Sequence, residues 1–418
     1  MKIEIKQRIE QIRRGEVPES YKQIGQNVIP QTWKRLSFEQ VATVRSGLVS
    51  PKTKPYSSML HIGPENIEKH TGKIENVRSA SELGLISGKF YFDSSSIVYS
   101  KIRPNLNKVC VPNFEGICSA DCYSIQVKDN IDKNYLFALM LSHQFYKRAV
   151  ACSMRTGMPK INQDDLNAIC LVLPDNLEEQ QKIAAILTTQ DKVIELKEKR
   201  LAEKQRQKKY LMQQLLTGKK RLPGFSGEWK KTKLKNILHE RKTYSPKGLD
   251  YPHVTLSTEG IFPKSERYDR DHLVRDEDKE YKITHKGDIC YNPANLKFGA
   301  ICENTFGDAI FSPIYVTFEV RKNVCREYLA NYLMRWDFIN AIRKYEEGTV
   351  YERMAVKPED FLKFEIFLPQ IEEQTAIAEV FSAADREIEL LRQDIEQEKQ
   401  KKKSLMQLLL TGIVRVKV

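Results

Sequence analysis

"LMQQLLTGKK" spans Leu211 to Lys220, and "LMQLLLTG" spans Leu405 to Gly412. The two segments lie 194 positions apart, and the match extends outward from them without a gap. Glu178-Glu179-Gln180 falls on Glu372-Glu373-Gln374, Ile183-Ala184 on Ile377-Ala378, and Asp191 on Asp385. Ile194-Glu195-Leu196 falls on Ile388-Glu389-Leu390, Lys208-Lys209 on Lys402-Lys403, and Leu215 to Gly218 on Leu409 to Gly412. About 40 residues repeat in register, which chance does not supply.

Each copy reads as one long helix. Asp175 is the expected N-cap, with Glu178 three residues later, and "LPQIEEQ" repeats the acidic first turn. Thr-Gly supplies the stop at both ends. The interior carries a heptad. In the second copy, Ile377, Ala384, Leu391, Glu398 and Leu405 form one seam row; Phe381, Ile388, Ile395, Lys402 and Leu409 form the other. The first copy gives Ile183, Gln190, Lys197, Lys204 and Leu211 against Leu187, Ile194, Leu201, Lys208 and Leu215. An apolar stripe at this spacing needs a partner helix. Polar residues interrupt the centre of each stripe, and the obvious partner of each copy is the other. At 1.5 Å per residue, such a helix is a rod of roughly 60 Å.

The segments between the helices repeat more weakly. "IPQTWKRLSFEQV" from Ile29 resembles "LPGFSGEWKKTKLKNIL" from Leu222. "IVYSKIRPNLNKVC" at Ile97 aligns with "ICYNPANLKFGAIC" at Ile289, "NYLFALMLSHQF" with "EYLANYLMRWDF", and "INQDDLNAICLVLP" with "VKPEDFLKFEIFLP". The apolar runs "SIVYS", "YSIQVK", "DICYN" and "IYVTFEV" read as short strands, which makes each segment an α/β module. Four parts follow: a first module over 1–172 with an extension over 1–28, a central long helix over 173–221, a second module over 222–367, and a second long helix over 368–418. "RIEQIRRGEVPESY" near the start weakly echoes the helix end, glycine and proline that precede the second module. The order is that of a duplicated unit opened at another point, a cyclic pseudo-twofold arrangement.

Composition narrows the function. Sixty-eight Lys plus Arg against 55 Asp plus Glu give a net charge of +13 and a pI near 9.1, the balance of a protein that meets a polyanion. Residues 197–235 hold 14 basic and 3 acidic residues. They suit DNA phosphates or an acidic face of a protein partner. No apolar run reaches membrane-spanning length, and the charged start lacks a signal peptide's apolar core, so the expected location is the cytoplasm. The eight cysteines form no Cys-x-x-Cys and have no histidine at metal-ligand spacing; they read as small buried apolar residues.

The "LPxxEEQxxIA…LLTG" blocks, the Trp-Lys module starts at Trp33 and Trp229, and the two-module layout resemble the specificity subunit of type I restriction–modification systems, over essentially the whole chain. The resemblance implies two target-recognition domains held apart by an antiparallel coiled coil of the two long helices. It implies that each domain reads one half of an asymmetric, bipartite site in double-stranded DNA, and that the helices set the unread spacer. It further implies a subunit without catalysis, metal or cofactor of its own. Two modification subunits would dock and methylate adenine with S-adenosylmethionine, and motor-nuclease restriction subunits could join. On B-DNA, half-sites approached from one face lie about 34 Å, or 10 base pairs, apart, a distance that such rods can set.

The chemistry-bearing motifs of other classes are missing. "YNPAN" at Tyr291 only superficially resembles the Asn-Pro-Pro-aromatic loop of amino-methyltransferases: the second proline is Ala294 and the aromatic is Asn295. No glycine-rich cofactor turn precedes it, and no phosphate loop occurs anywhere. A stand-alone adenine methyltransferase and a protein-binding coiled-coil scaffold are the alternatives. For DNA contact, "SKIRPNLNK" concentrates Lys101, Arg103, Asn105, Asn107 and Lys108, and its counterpart offers Asn292, Asn295 and Lys297. Arginine pairs with guanine, and asparagine with adenine, in the major groove. A second group holds Arg155, Thr156, Lys160 and Asn162, with Thr349, Tyr351, Arg353 and Lys357 opposite, where a glycine permits close approach to phosphate. A third, weaker group is Tyr56, Ser57, His61 and Asn66, with His253, Thr255 and Ser257 as counterparts; the two histidines are equally suited to packing beside a strand.

Overall fold

The computed structural model describes residues 3–25, 27–153, 159–246, 251–258, 260–264, 280–347 and 355–417. The chain divides into two compact units, Met1–Glu198 with Gln393–Val418, and Lys199–Arg392. Each long helix, Leu177–Leu215 and Ile371–Leu409, gives one part to each unit.

In the first unit, the strand Trp33–Ser37 pairs antiparallel with Cys170–Pro174, which closes the module at the point where the long helix leaves it. A four-stranded sheet follows in the order Val109–Cys110, Ile97–Ser100, Cys122–Val127, Ala42–Val44. Its two middle strands are the apolar runs "IVYS" and "CYSIQV", whose first four residues are all buried. A five-stranded sheet contains one parallel pair, Gly116–Cys118 with Leu60–Ile62. Helices Lys133–Leu141, His143–Cys152 and Gln163–Asn167 complete the module, and Trp33, Phe38, Tyr99, Tyr135 and Phe145 fill its core.

The second unit repeats this plan. Lys230–Lys233 pairs with Glu365–Leu368. The four-stranded sheet runs Ile301–Glu303, Ile289–Tyr291, Val316–Val320, Leu238–Glu240, which is the same order of equivalent strands. His253 bridges in parallel to Ile310, as His61 does to Ile117. Tyr291, Phe318 and Phe361 stack at centroid separations of 4.8 to 5.9 Å in its core.

The long helices pair antiparallel within each unit. In the first, Asp191 meets Lys402 at 2.5 Å and Lys197 meets Asp394 at 2.7 Å, so partners descend as the numbering rises. In the second, Lys204 meets Glu387 at 2.9 Å and Lys208 meets Asp385 at 2.5 Å. Asp191–Lys402 and Asp385–Lys208 are equivalent under the 194-residue repeat. Ile183, Leu187, Ile194, Ile388, Ile395 and Leu409 are buried in the predicted seam. The interrupting polar residues pair with one another: Gln190 donates to Glu398 at 2.6 Å, and Lys197 donates to Glu398 at 2.9 Å. The capping expectation needs a correction. Asn176, not Asp175, precedes the first helical residue and accepts from the Glu178 amide at 2.8 Å. Asp175 instead pairs with Lys34 at 2.7 Å.

The repeated Glu-Glu-Gln block joins helix to module. Glu179, almost fully buried, takes both arms of Arg415 at 2.6 and 2.7 Å, and Trp33 Nε1 lies 3.4 Å from the same carboxylate. In the second unit Glu373 takes Arg221 in the same way, and Arg221 lies over the Trp229 ring. Gln180 accepts from the Asp132 amide and donates to the carbonyls of Asn130 and Pro174; Gln374 does likewise with Cys325 and Pro369. Gly218 and Gly412, at φ 71° and 74°, turn the chain back after the helices. A Cβ at Gly412 would sit 2.5 Å from Pro30, and one at Gly218 would sit 3.4 Å from Trp229, so the Thr-Gly stop and the module's opening proline and tryptophan are one packing unit.

Arg415→Ala leaves the buried Glu179 carboxylate without its counter-charge, with only the Trp33 indole beside it. Removing one partner of a buried pair costs about 3 kcal/mol, here at the low end of the range because Arg415 keeps some exposure. The thermal midpoint of the first unit should fall by about 10 °C, and adding Glu179→Gln should recover part of it. Glu398 makes a pH prediction. Hydrogen bonds from Lys197, Gln190 and Lys401 hold its carboxyl down to about 2. A depressed carboxyl stabilises above the unfolded value of roughly 4.3 and loses that contribution as pH falls toward 2. The helical circular dichroism signal should weaken in that window, and Glu398→Gln should flatten the dependence.

Candidate DNA interface

The first candidate loop, 101–108, is the tip of the hairpin that joins Ile97–Ser100 to Val109–Cys110. Pro104–Leu106 forms a single 3-10 turn with Arg103 and Asn107 at its two ends, at φ 48° and 42°. Non-glycine residues held in the left-handed region cost about 1 kcal/mol each and concentrate at functional sites.

The second candidate loop lies against the first. Ile102 bridges antiparallel to Lys160, Arg103 N donates to Pro159 O at 2.8 Å, and Ile161 N donates to Lys101 O at 2.9 Å. From beneath, Tyr123 Oη donates to Ile161 O at 3.2 Å. The structure thus brings Lys101, Arg103, Asn105 and Lys160 together; Arg103, Asn105 and Lys160 are exposed. The Lys101 ammonium is pushed below its ordinary value by burial and then by the charge of Lys160. Two like charges held this close favour a site that an anion would relieve.

Other candidates face inward. Asn107 is 1% exposed, and its amide donates to Met140 O at 3.3 Å, which fastens the hairpin to a helix end. Lys108 Nζ donates to Pro64 O at 2.5 Å. Asn162 caps the helix Gln163–Asn167 by accepting from the Asp165 amide at 2.7 Å. Asn66 ties its own loop together through Gly63, Glu75 and Asn76. His61 is buried beside its strand, and burial pushes its imidazole below the ordinary value. Tyr56 rests edge-on against Tyr91, and Thr255 Oγ1 lies 3.2 Å from Tyr315 Oη. Arg155, Thr156, Thr349, Tyr351 and Arg353 lie outside the described residues.

The second unit presents the equivalent hairpin tip. Leu296–Phe298 forms the 3-10 turn and Gly299 takes the left-handed position held by Asn107 in the first. Asn292 is buried and accepts from the amides of Ala294 and Asn295 at 3.1 and 3.3 Å, so it shapes the turn from within. Asn295 is exposed, and Lys297 lies 5.3 Å over the ring of Phe298. Again the neighbouring loop meets the tip: Tyr291 Oη donates to Val356 O at 3.0 Å, and Val356 N donates to Pro293 O at 3.4 Å. Phe298 stands exposed at the same tip, outside the polar residues of the motif; its signal in the sequence is an aromatic residue in a glycine-ended polar turn.

Much of the basic stretch 197–235 is paired. Lys197, Arg200, Lys204, Lys208, Arg221 and Lys231 each meet an acidic partner within their own unit. Burial pushes the Cys118 and Cys302 thiols up to about 12, as suits inert packing groups. Among the described residues no group of His, Cys, Asp and Glu could hold a metal ion, and no helix is long and apolar enough to cross a membrane.

The two modules share one design, and their hairpin tips differ in the exposed cationic and amide side chains they carry. A family model for the type I restriction modification DNA specificity domain matches residues 30–205 and again 227–400. The chain belongs to this family. The EcoDI specificity subunit of Escherichia coli is 40% identical over 178 residues, 43% of this chain and 37% of that protein. The MjaX specificity subunit of Methanocaldococcus jannaschii is 25% identical over 96% of this chain and 97% of its own length. Two solved chains share the fold. One comes from work on complex assembly and conformational transition of the type I restriction–modification system (TM-score 0.60, 17% identity, 92% of this chain and 99% of that one). The other is the S subunit of a type I system from M. genitalium (TM-score 0.54, 12% identity, 92% and 97%).

Asn107→Ala should cost about 2 kcal/mol, from a lost buried hydrogen bond and a left-handed backbone that alanine resists. Arg103→Ala and Lys160→Ala should stay within about 0.5 kcal/mol, as exposed changes do. Thermal denaturation of the three variants checks this division between inward and outward side chains.

Proposed function

We propose that this chain is the sequence-reading subunit of a cytoplasmic type I restriction–modification complex. Each module reads one half of a bipartite, asymmetric site in double-stranded DNA. The paired helices set the unread spacer and dock two modification subunits, which carry S-adenosylmethionine and methylate adenine; restriction subunits join where the system also cleaves. The chain itself performs no catalysis and needs no cofactor.

The observation that carries this reading is the contrast between scaffold and tip. The equivalent sheets keep one strand order, and both tips are 3-10 turns that meet a neighbouring loop to which a tyrosine hydroxyl donates. The outward side chains differ: Arg103 and Asn105 in one, Asn295 and Lys297 in the other. A site with two unlike halves asks for this combination, because phosphate contacts position a protein and base-edge contacts specify the sequence.

Replacing residues 30–172 with the equivalent module of another family member should change one half of the methylated motif and leave the other half intact. Sequencing of modified adenines in cells that express the chimera with its modification subunit reads this out. A change in both halves would overturn the two-reader assignment.

A further inference from the structure

The hairpin tips differ in one respect that hydrogen-bond readout does not use. At the position after Lys297 the second tip carries Phe298, which is 64% exposed. The equivalent residue of the first tip is Leu106, which is only partly exposed. Phe298 is not a loose surface residue. Its amide donates to Asn295 O at 3.0 Å, and the Gly299 amide closes the turn on Leu296 O at 2.8 Å. Leu296 is fully buried directly beneath, and Asn292 fixes the two amides on the other side. The ring is therefore held out by a rigid turn. Lys297 stands over it at 5.3 Å, with exposed Asn295 at the start of the same turn.

We propose that Phe298 is a stacking wedge that inserts against a base step of the half-site read by the second module. This rests on the reading of the hairpin tips as DNA-facing. An exposed phenylalanine gains nothing from water. Beside a lysine that engages phosphate, it finds a π-face partner in a nucleobase. Apolar wedges at base steps unstack the duplex locally, and a base–aromatic stack is sequence-tolerant. Phe298 would then supply affinity and local distortion, while Asn295 and Lys297 supply contacts to base edges and backbone. The first tip, with Leu106 drawn inward, reads its half-site without a wedge, so the two halves of the site are deformed unequally.

The test uses the full chain with its modification subunit. The duplexes carry the motif defined by modified-adenine sequencing, with 2-aminopurine placed at successive positions of each half. Wild-type protein should raise the fluorescence at one step of the second module's half-site and at none of the first. Phe298→Ala should abolish that rise and weaken binding about tenfold to a hundredfold, the range of one lost stack. Phe298→Trp should retain both, and Phe298→Leu should weaken binding by loss of the aromatic stack. Unchanged thermal midpoints check that the variants fold. Wild-type affinity and fluorescence in Phe298→Ala would overturn the wedge, as would loss of the modification subunit with DNA binding intact. Failure of the wild-type complex to bind any of these duplexes would instead remove the DNA-facing reading beneath it.

Discussion

Two buried carboxylate–guanidinium pairs, Glu179 with Arg415 and Glu373 with Arg221, hold the design together. Each glutamate stands at the start of one long helix, and each arginine follows the glycine stop of the other. The pair therefore fixes where two antiparallel helices begin and end against each other, and the tryptophan that opens the module packs at the same point. A charge buried at this depth demands its partner, because the desolvation cost is met only by paired hydrogen bonds. That demand explains why the arginine recurs 194 residues on in a segment whose neighbouring residues differ.

The seam between the helices follows a different logic. Its ends are apolar, with Ile183 and Leu409 in the first unit and Leu215 and Phe381 in the second. Between them in the first unit, cross-paired charges and amides at Gln190, Lys197, Glu398 and Asp394 interrupt buried isoleucines such as Ile194 and Ile395. Polar seam residues lower stability and gain register, since a slip would leave each of them facing an apolar side chain.

The modules divide the labour between strand and tip. Middle strands such as Ile97–Ser100 and Ile289–Tyr291 are apolar because sheet neighbours and helices cover them. The tips that join them to their partners carry side chains that differ between the modules, and the loops beside the tips are held by tyrosines from the sheet itself. Rigid support with variable ends lets one scaffold serve different targets.

The repeat, the two helices, their heptad and the existence of two α/β modules were legible in the sequence because each is a local or periodic signal. Burial at Ile194 and Ile388 follows directly from spacing. The fate of individual polar side chains was not legible. Asn105 and Asn107 look alike in the chain, yet Asn107 is spent on Met140, 33 residues away, while Asn105 stays exposed. Lys108 finds Pro64 and Asn292 folds back on its own turn. Strand order likewise depended on pairings between residues far apart, such as Ala42–Val44 with Cys122–Val127. Periodicity reports which face is buried. Only the folded chain decides which donor meets which acceptor, because that depends on distances between segments that the sequence does not place beside one another.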